Sequence, residues 1–159
     1  MKIFTSYFYQ IRFFKPYMIP LSTAVWDPKW YYNFKKQGHV YVDRNGVING
    51  LRIQPLMPGS SCDGLCRGLE VCEIKEPTQC EFLKKYYEQL TAIDFNQFMY
   101  NLSTHIEKLC KMQWIENEPF AVFIVHEAPN KACSERCMIQ KWFTDNGVAI
   151  QELNPKEYS

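Results

Sequence analysis

Two polar stretches near the end of the chain contain the side chains best suited to chemistry. His126 and Glu127 follow an apolar run, and Cys133, Ser134 and Arg136 come a few residues later. A carboxylate or an imidazole can move a proton, and a thiol can act as a nucleophile. An arginine can bind phosphate or carboxylate through paired hydrogen bonds. These side chains predict a site for an anionic ligand, with Glu127, Cys133 and Arg136 as candidate catalytic residues and His126 and Ser134 as ligand contacts.

The elements around these side chains are expected to bring them together. Residues 120–125, FAVFIV, are apolar throughout, which is typical of a central parallel strand covered on both faces. A helix is predicted from about Ser134, and a last strand over Val148–Leu153. Strand, helix and strand in this order form a unit with parallel strands. The start of the helix would offer unpaired N–H groups that attract an anion and lower the pKa of a nearby thiol.

The same reasoning extends the site to the first two predicted strands, Lys2–Phe8 and Met18–Val25. Ligands of open α/β sheets bind beyond the carboxyl ends of the strands. The side chains at or just after these two ends are therefore predicted ligand contacts: Ser6, Tyr7, Thr23 and Trp26. We expect Tyr7 to share one pocket with Glu127 and Arg136.

Turn and cap signals organise the region between the second strand and the middle of the chain. Asp27-Pro28 predicts the start of a helix that stops near Gly38. Asn45-Gly46 predicts a tight hairpin, because this dipeptide tolerates positive φ angles. The residues that follow, to about position 77, have no clear period and are predicted to be an irregular excursion.

Two amphipathic helices are predicted before the FAVFIV strand. Thr78 and Glu81 have the spacing of a capping box, and Asp94 and Gln97 repeat that start signal. Together, the elements predict a single three-layer α/β domain over residues 1–159. It has a mostly parallel sheet with flanking helices, and a cysteine-containing hairpin and loop excursion at about 38–77.

Four cysteines in and after this excursion raise the question of a metal site. Cys62, Cys66, Cys72 and Cys80 could hold zinc or an iron–sulfur cluster through their thiolates. Against this, no two of them form the close Cys-x-x-Cys pair, and Cys80 falls in a predicted helix. A smaller set, His126, Cys133 and Cys137, has even less support, so no residue is assigned to a metal.

Composition bears on the kinds of partner. The formal net charge is +1, whereas a protein that binds duplexes through phosphates usually carries a basic face. No apolar run reaches the roughly 18 residues of a membrane-spanning helix. Polar residues such as Gln10 and Arg12 interrupt the opening segment, which is unlike a signal peptide. Without such a signal, the seven cysteines indicate reduced thiols and a cytoplasmic location.

Three functions remain open on the sequence. The first is an enzyme or binding protein for an anionic, nucleotide-like small molecule; the second is a non-catalytic interaction module with a metal-stabilised cysteine loop. The third, nucleic-acid binding, rests only on the aromatic residues and on the scattered basic residues Lys35, Lys36 and Arg44. The proposed site residues also have a structural interpretation, in which Cys133 is a small buried side chain, Arg136 pairs with a nearby acid and His126 caps the strand end. No glycine-rich dinucleotide loop, P-loop or Ser-His-Asp arrangement is present, so no cofactor is assigned.

Both ends of the chain resemble an uncharacterised bacterial and phage family, domain of unknown function 488. The resemblance lies in KIFTSYFYQIR with IPLSTAVWDPKW, and in FAVFIVHEAPNKACSERCMIQKWFTDNGVAIQEL. Glu127, Cys133 and Arg136 match the family's pattern, whereas Ser134-Glu135 replaces its single His. The resemblance implies an α/β fold and a bacterial or viral cytosolic setting, and it implies no activity. The stretch from about 38 to 77 has no counterpart in it.

Overall fold

A computed structural model of the chain describes residues 1–32, 40–66, 72, 76–130 and 134–158. In chain order, the strands and α-helices are β1 (Lys2–Tyr7), β2 (Met18–Ser22), β3 (Tyr41–Val42), β4 (Ile48–Asn49), α1 (Glu81–Thr91), α2 (Phe95–Met112), β5 (Phe120–Val125), α3 (Glu135–Asp145) and β6 (Gln151–Glu152). Short 3-10 helices occupy much of the remaining described chain, including Phe8–Phe13 and Lys29–Tyr31.

The central feature is a four-stranded sheet in the order β2-β5-β1-β6, with every neighbouring pair parallel. All six residues of β5 are buried, as its unbroken apolar sequence predicts. Pro20 lies in β2 at the edge of the sheet, where its missing N–H leaves no gap in a central ladder. The predicted α/β fold with a mostly parallel sheet and flanking helices is confirmed.

The two faces of the sheet are covered differently. Ala121, Phe123 and Val125 point to the face where all three α-helices pack. Val122 and Ile124 point to the opposite face, which is covered by the 3-10 segments, the hairpin and the end of the chain. The second covering layer in the described chain therefore consists of 3-10 turns and loops, and all the α-helices lie on one side.

Helix starts agree with the sequence where a side chain caps the backbone locally. The Asp94 side chain accepts a hydrogen bond from the Gln97 N–H at 3.0 Å, as predicted for the start of α2. The Ser134 side chain accepts from the Arg136 N–H at 3.2 Å and starts α3. The predicted capping box at Thr78 is wrong, because Thr78 belongs to a separate 3-10 turn and α1 starts after Cys80 without a side-chain cap.

The helix predicted from Asp27-Pro28 is wrong over the residues that can be compared. Only a 3-10 turn forms at Lys29–Tyr31, and Tyr32 is already extended. The reason is that Asp27 does not cap a helix. Its carboxylate accepts a hydrogen bond from the Ser22 hydroxyl and forms an ion pair with Arg52 at 3.2 Å. Residues 33–39, which the prediction also included, lie outside the described part.

The hairpin predicted from Asn45-Gly46 is confirmed by the antiparallel pair β3 and β4. Gly46 has a φ of +82°, and the Asp43 carboxylate accepts from the Asn45 and Val47 N–H groups. Of the predicted cysteine-containing excursion, residues 54–66 form 3-10 turns that pack against α1, and Cys62 is buried in the core. Residues 67–71 and 73–75 lie outside the described part, so the excursion stays a prediction there.

Among the helices formed by described residues, none has the length and apolar character needed to cross a membrane.

The Asp94 cap gives a first test of this fold. We expect Asp94→Ala to lower the free energy of unfolding by about 1 kcal/mol, because an N–H of the first turn of α2 loses its partner. Urea unfolding followed by circular dichroism measures the change. Glu107→Ala is the matched control, since Glu107 is an exposed acid in the middle of the same helix. Equal effects of the two substitutions would contradict a capping role for Asp94.

Candidate functional site

The connections that follow the two central strands, β1 and β5, leave the sheet on opposite faces. After β1, the chain turns to one face, packs as the 3-10 helix Phe8–Phe13 and continues to β2. After β5, it turns to the other face, forms α3 and continues to β6. Where two neighbouring strands send their connections to opposite faces, a crevice opens beyond their carboxyl ends, and ligands of open α/β sheets bind there.

Arg136 is the most tightly held of the predicted site residues. Its side chain is 7% exposed and makes two bonds to the Glu152 carboxylate, from Nε at 2.6 Å and from Nη2 at 3.2 Å. Nη2 also donates to the backbone carbonyl of Glu127 at 2.7 Å. These bonds tie α3 to β6 and to the loop after β5. The geometry matches the structural interpretation, in which Arg136 pairs with a nearby acid.

The Glu152 carboxylate extends this network into the sheet. Thr5 is fully buried in β1, and its hydroxyl donates to Glu152 Oε1 at 2.8 Å. The Gln140 amide on α3 donates in turn to the Thr5 hydroxyl at 2.8 Å. The Thr5 hydroxyl and the Glu152 carboxylate thus both have partners, as polar groups in a low-dielectric interior require. The network fixes the position of α3 relative to the strand ends.

Two carboxyl groups meet at the start of α3. Ser134 Oγ donates to Glu127 Oε2 at 3.2 Å, while the same oxygen caps α3. Glu135 lies beside Glu127, and burial raises the pKa of Glu135 to about 7, with the negative charge of Glu127 as the second cause. A carboxyl group with a pKa near neutral can either donate or accept a proton at physiological pH. The pair therefore has the properties of an acid–base centre.

A pocket of about 410 Å³ borders Glu135 at the carboxyl edge of the sheet. Its lining includes Thr23, Trp26, Phe82 and His126. The charged residues that line it are Asp63 and Glu135, and no Lys or Arg is among the described residues of its wall. The pocket therefore combines aromatic faces with a negative electrostatic character.

Three further predicted ligand contacts, Thr23, Trp26 and His126, line the pocket beside Glu135. Thr23 is buried, and its hydroxyl donates to the Ile124 carbonyl at 2.9 Å. Trp26 is 81% exposed at the rim, and His126 Nε2 donates to the Trp26 carbonyl. His126 thus joins the ends of β2 and β5, as its structural interpretation predicts.

Tyr7 lies beside Arg136, whereas Ser6 does not. The Arg136 guanidinium is 5.8 Å from the centre of the Tyr7 ring, and Arg136 also bonds to the Glu127 carbonyl. None of these three residues lines the pocket beside Glu135, so the pocket that they were expected to share stays a prediction. Ser6 is buried with the opposite face of β1, and its hydroxyl has no hydrogen-bond partner in the described part of the chain. Cys133 lies outside the described residues.

The cysteines show no metal centre in the part of the chain that is described. No group of three or more His, Cys, Asp or Glu side chains there is arranged to hold a metal ion. Cys62 and Cys80 are buried in the hydrophobic core, and both are free thiols, as are Cys66, Cys110 and Cys137. Burial raises the pKa of Cys62 and of Cys137, which lowers the fraction of reactive thiolate.

Sequence reasoning missed two residues of this site, Glu135 and Glu152. Glu135 was visible only as part of a helix start, and nothing in its sequence position indicates the second carboxylate beside it. Glu152 lies on a two-residue strand, and only the register of β6 against β1 brings it opposite Thr5. Glu152 could have been found only by asking which acid neutralises Arg136 if this arginine is buried.

Comparison of the chain with family models, with curated proteins and with solved structures finds no match. The resemblance to domain of unknown function 488 stays a prediction.

The buried ion pair gives a second test. We expect Glu152→Gln to lower the free energy of unfolding by about 3 kcal/mol, because Arg136 is then left buried without a counter-charge. Glu107→Gln, which makes the same chemical change at an exposed ion pair, is expected to cost less than about 0.5 kcal/mol. Urea unfolding measures both values. A loss at Glu152 as small as that at Glu107 would contradict the buried pair.

The raised pKa of Glu135 gives a third test, in which the sign is decisive. Between its ordinary value of 4.5 and about 7, the folded protein holds a proton that the unfolded chain releases. Stability from this group therefore falls as pH rises through that window. Glu135→Gln removes the titration, and its amide can still donate to Glu127. The variant should gain stability relative to the unsubstituted protein as pH rises, by about 1.4 kcal/mol for each unit of pKa difference.

Unfolding in urea at several pH values between about 5 and 8 measures this difference. Glu107→Gln is the control, and its stability should run parallel to that of the unsubstituted protein. A Glu135→Gln curve that is also parallel would show that Glu135 titrates normally.

Proposed function

We propose that the chain binds a small molecule at the carboxyl edge of its sheet and transfers a proton to or from it through Glu135 and Glu127. The observation that carries this proposal is the carboxyl pair, in which Glu135 has a pKa of about 7 and borders a pocket. Perturbed carboxyl groups in a cleft are frequent at functional sites. The pocket lies beyond the carboxyl ends of β2 and β5, and ligands of open α/β sheets bind beyond the carboxyl ends of the strands.

The residues around the pocket divide the work in this proposal. Glu135 holds the mobile proton, and Glu127 keeps its pKa high through its own negative charge. Arg136 is a positioning residue, because it fixes the loop that carries Glu127 through the backbone carbonyl and does not face the pocket. Trp26 and Phe82 supply aromatic surface for a planar ligand.

The charge of the site bears on the kind of ligand. The positive charge of Arg136 is already paired with Glu152 through two bonds, and Arg136 does not line the pocket. Asp63 lines the pocket and repels an anion, and Glu135 adds to this repulsion whenever it is ionised. The geometry therefore favours a ligand that is nucleoside-like, with a planar ring and no negative charge, over the phosphorylated nucleotide expected from the sequence.

A cytoplasmic location is part of the proposal, since five described cysteines are free thiols, as in a reducing compartment: Cys62, Cys66, Cys80, Cys110 and Cys137. We also propose membership of the domain of unknown function 488 family. Its resembling segments contribute β1, β2, β5 and β6, which are the four strands of the sheet.

A titration with four nucleosides and their 5′-monophosphates, followed by calorimetry, tests the proposal. We expect a nucleoside to bind more tightly than its monophosphate. Trp26→Ala and Glu135→Gln should each weaken binding by about tenfold, which corresponds to about 1.4 kcal/mol. Trp114→Ala is the matched control, because Trp114 is 88% exposed and does not line this pocket.

Each other outcome counts against a defined part of the proposal. Equal losses for Trp26→Ala and Trp114→Ala would remove the pocket as the binding site. Tighter binding of the monophosphates would restore the anionic ligand expected from the sequence and contradict the preference for a neutral one. Binding that Glu135→Gln leaves unchanged across pH would remove the proton-transfer role.

A further inference from the structure

A second cavity lies away from the carboxyl pair, between α2 and residues 51–55. Its volume is about 600 Å³, within the range of about 300–1,000 Å³ that is usual for small-molecule sites. Residues 51–53 run beside β2, where Leu51 and Ile53 exchange backbone hydrogen bonds with Ser22. Leu21 of β2 lines the cavity from the sheet side.

The cavity follows almost the whole length of α2. From Gln97 to Met112 the helix contributes one lining residue or more in every turn, which corresponds to about 22 Å at 1.5 Å per residue. The apolar lining on the helix is formed by Phe98, Leu102, Ile106, Leu109 and Met112. A long, narrow apolar surface of this kind suits a linear hydrocarbon chain, each buried methylene of which contributes about 0.8 kcal/mol.

The charged groups around this groove lie at different ends of it. Asp94 caps the N-terminal end of α2, and Arg52 pairs with Asp27 at 3.2 Å. Lys108 lines the groove near the C-terminal end of α2 and has no ion-pair partner in the described part of the chain. The acid and this cation are therefore about 21 Å apart along the helix axis, at 1.5 Å per residue. An apolar groove with an available cation at one end matches an apolar chain with one anionic head.

We propose that this groove binds a linear amphiphile with an anionic head group, of the fatty-acid class. The hydrocarbon chain lies along α2 on the apolar lining, and the carboxylate pairs with Lys108. This site is separate from the pocket beside Glu135, so its test does not depend on the proposed proton transfer.

Calorimetric titration with laurate and with its uncharged amide tests the proposal on the full chain. We expect laurate to bind more tightly than the amide, and added salt to weaken only laurate, because salt screens exposed charge pairs. Lys108→Gln should weaken laurate by about three- to fivefold and leave the amide unchanged. Lys111→Gln is the matched control, since Lys111 lies on the same helix outside the groove.

A second pair of variants tests the position of the chain. Asn101→Trp fills the groove from its exposed rim and should weaken both probes by at least about tenfold, whereas Ser103→Trp, outside the groove, should not. Equal binding of laurate and amide would overturn the anionic head. No binding of either probe, or equal effects of the two tryptophan variants, would overturn the site. A dimer of the unsubstituted chain that Asn101→Trp dissociates would assign the groove to a second copy instead.

Discussion

The ion pair between Arg136 and Glu152 is the interaction on which the carboxyl edge of this protein depends. The Arg136 side chain is nearly buried and makes two hydrogen bonds to the Glu152 carboxylate. Because Arg136 belongs to α3 and Glu152 to β6, these bonds connect the helix to the sheet. Such a pair contributes less to net stability than its Coulomb attraction suggests, because both charges lose their water. We expect the pair to act mainly on the position of α3 relative to the sheet. Removing either partner leaves a buried charge, so alternative positions of α3 are costly.

This pair also determines the electrostatics of the site. The charge of Arg136 lowers the pKa of Glu135, but burial and the negative charge of Glu127 are larger causes and act in the opposite direction. If Glu152 did not share the guanidinium, more of its positive charge would be available to stabilise ionised Glu135. The same bond from Arg136 to the Glu127 carbonyl fixes the loop that brings the second carboxylate near. Arg136, neutralised by Glu152, thus holds Glu127 near Glu135, and the pKa of Glu135 stays at about 7.

Sequence reasoning succeeded where the cause is local. The apolar run of β5, the Asp94 cap, the helix start near Ser134 and the Asn45-Gly46 turn each depend on a few consecutive residues, and all were predicted. It failed where a side chain has a distant partner. Asp27 looks like a helix cap, yet Ser22 and Arg52 engage its carboxylate. Arg136 contacts both Tyr7 and the Glu127 carbonyl, while a pocket shared by these three residues stays a prediction. The partnership of Glu135 with Glu127 needed the path of the loop, which no local signal encodes.

The placement of all three α-helices on one face explains why both cavities lie beside the edge strand β2. Phe98 holds the N-terminal part of α2 against Phe123 and the α3 aromatics, with ring centres 5.2–6.3 Å apart. Beyond it, residues 51–53 occupy the edge of β2 and keep the helix away from the sheet, which leaves the groove. Leu21 of β2 lines the groove, and Thr23, the residue just after β2, lines the pocket. These side chains are two residues apart in extended chain, so the two cavities border the same face of this segment, about 7 Å apart. A covered edge that prevents pairing with another chain thus also creates the space for ligands.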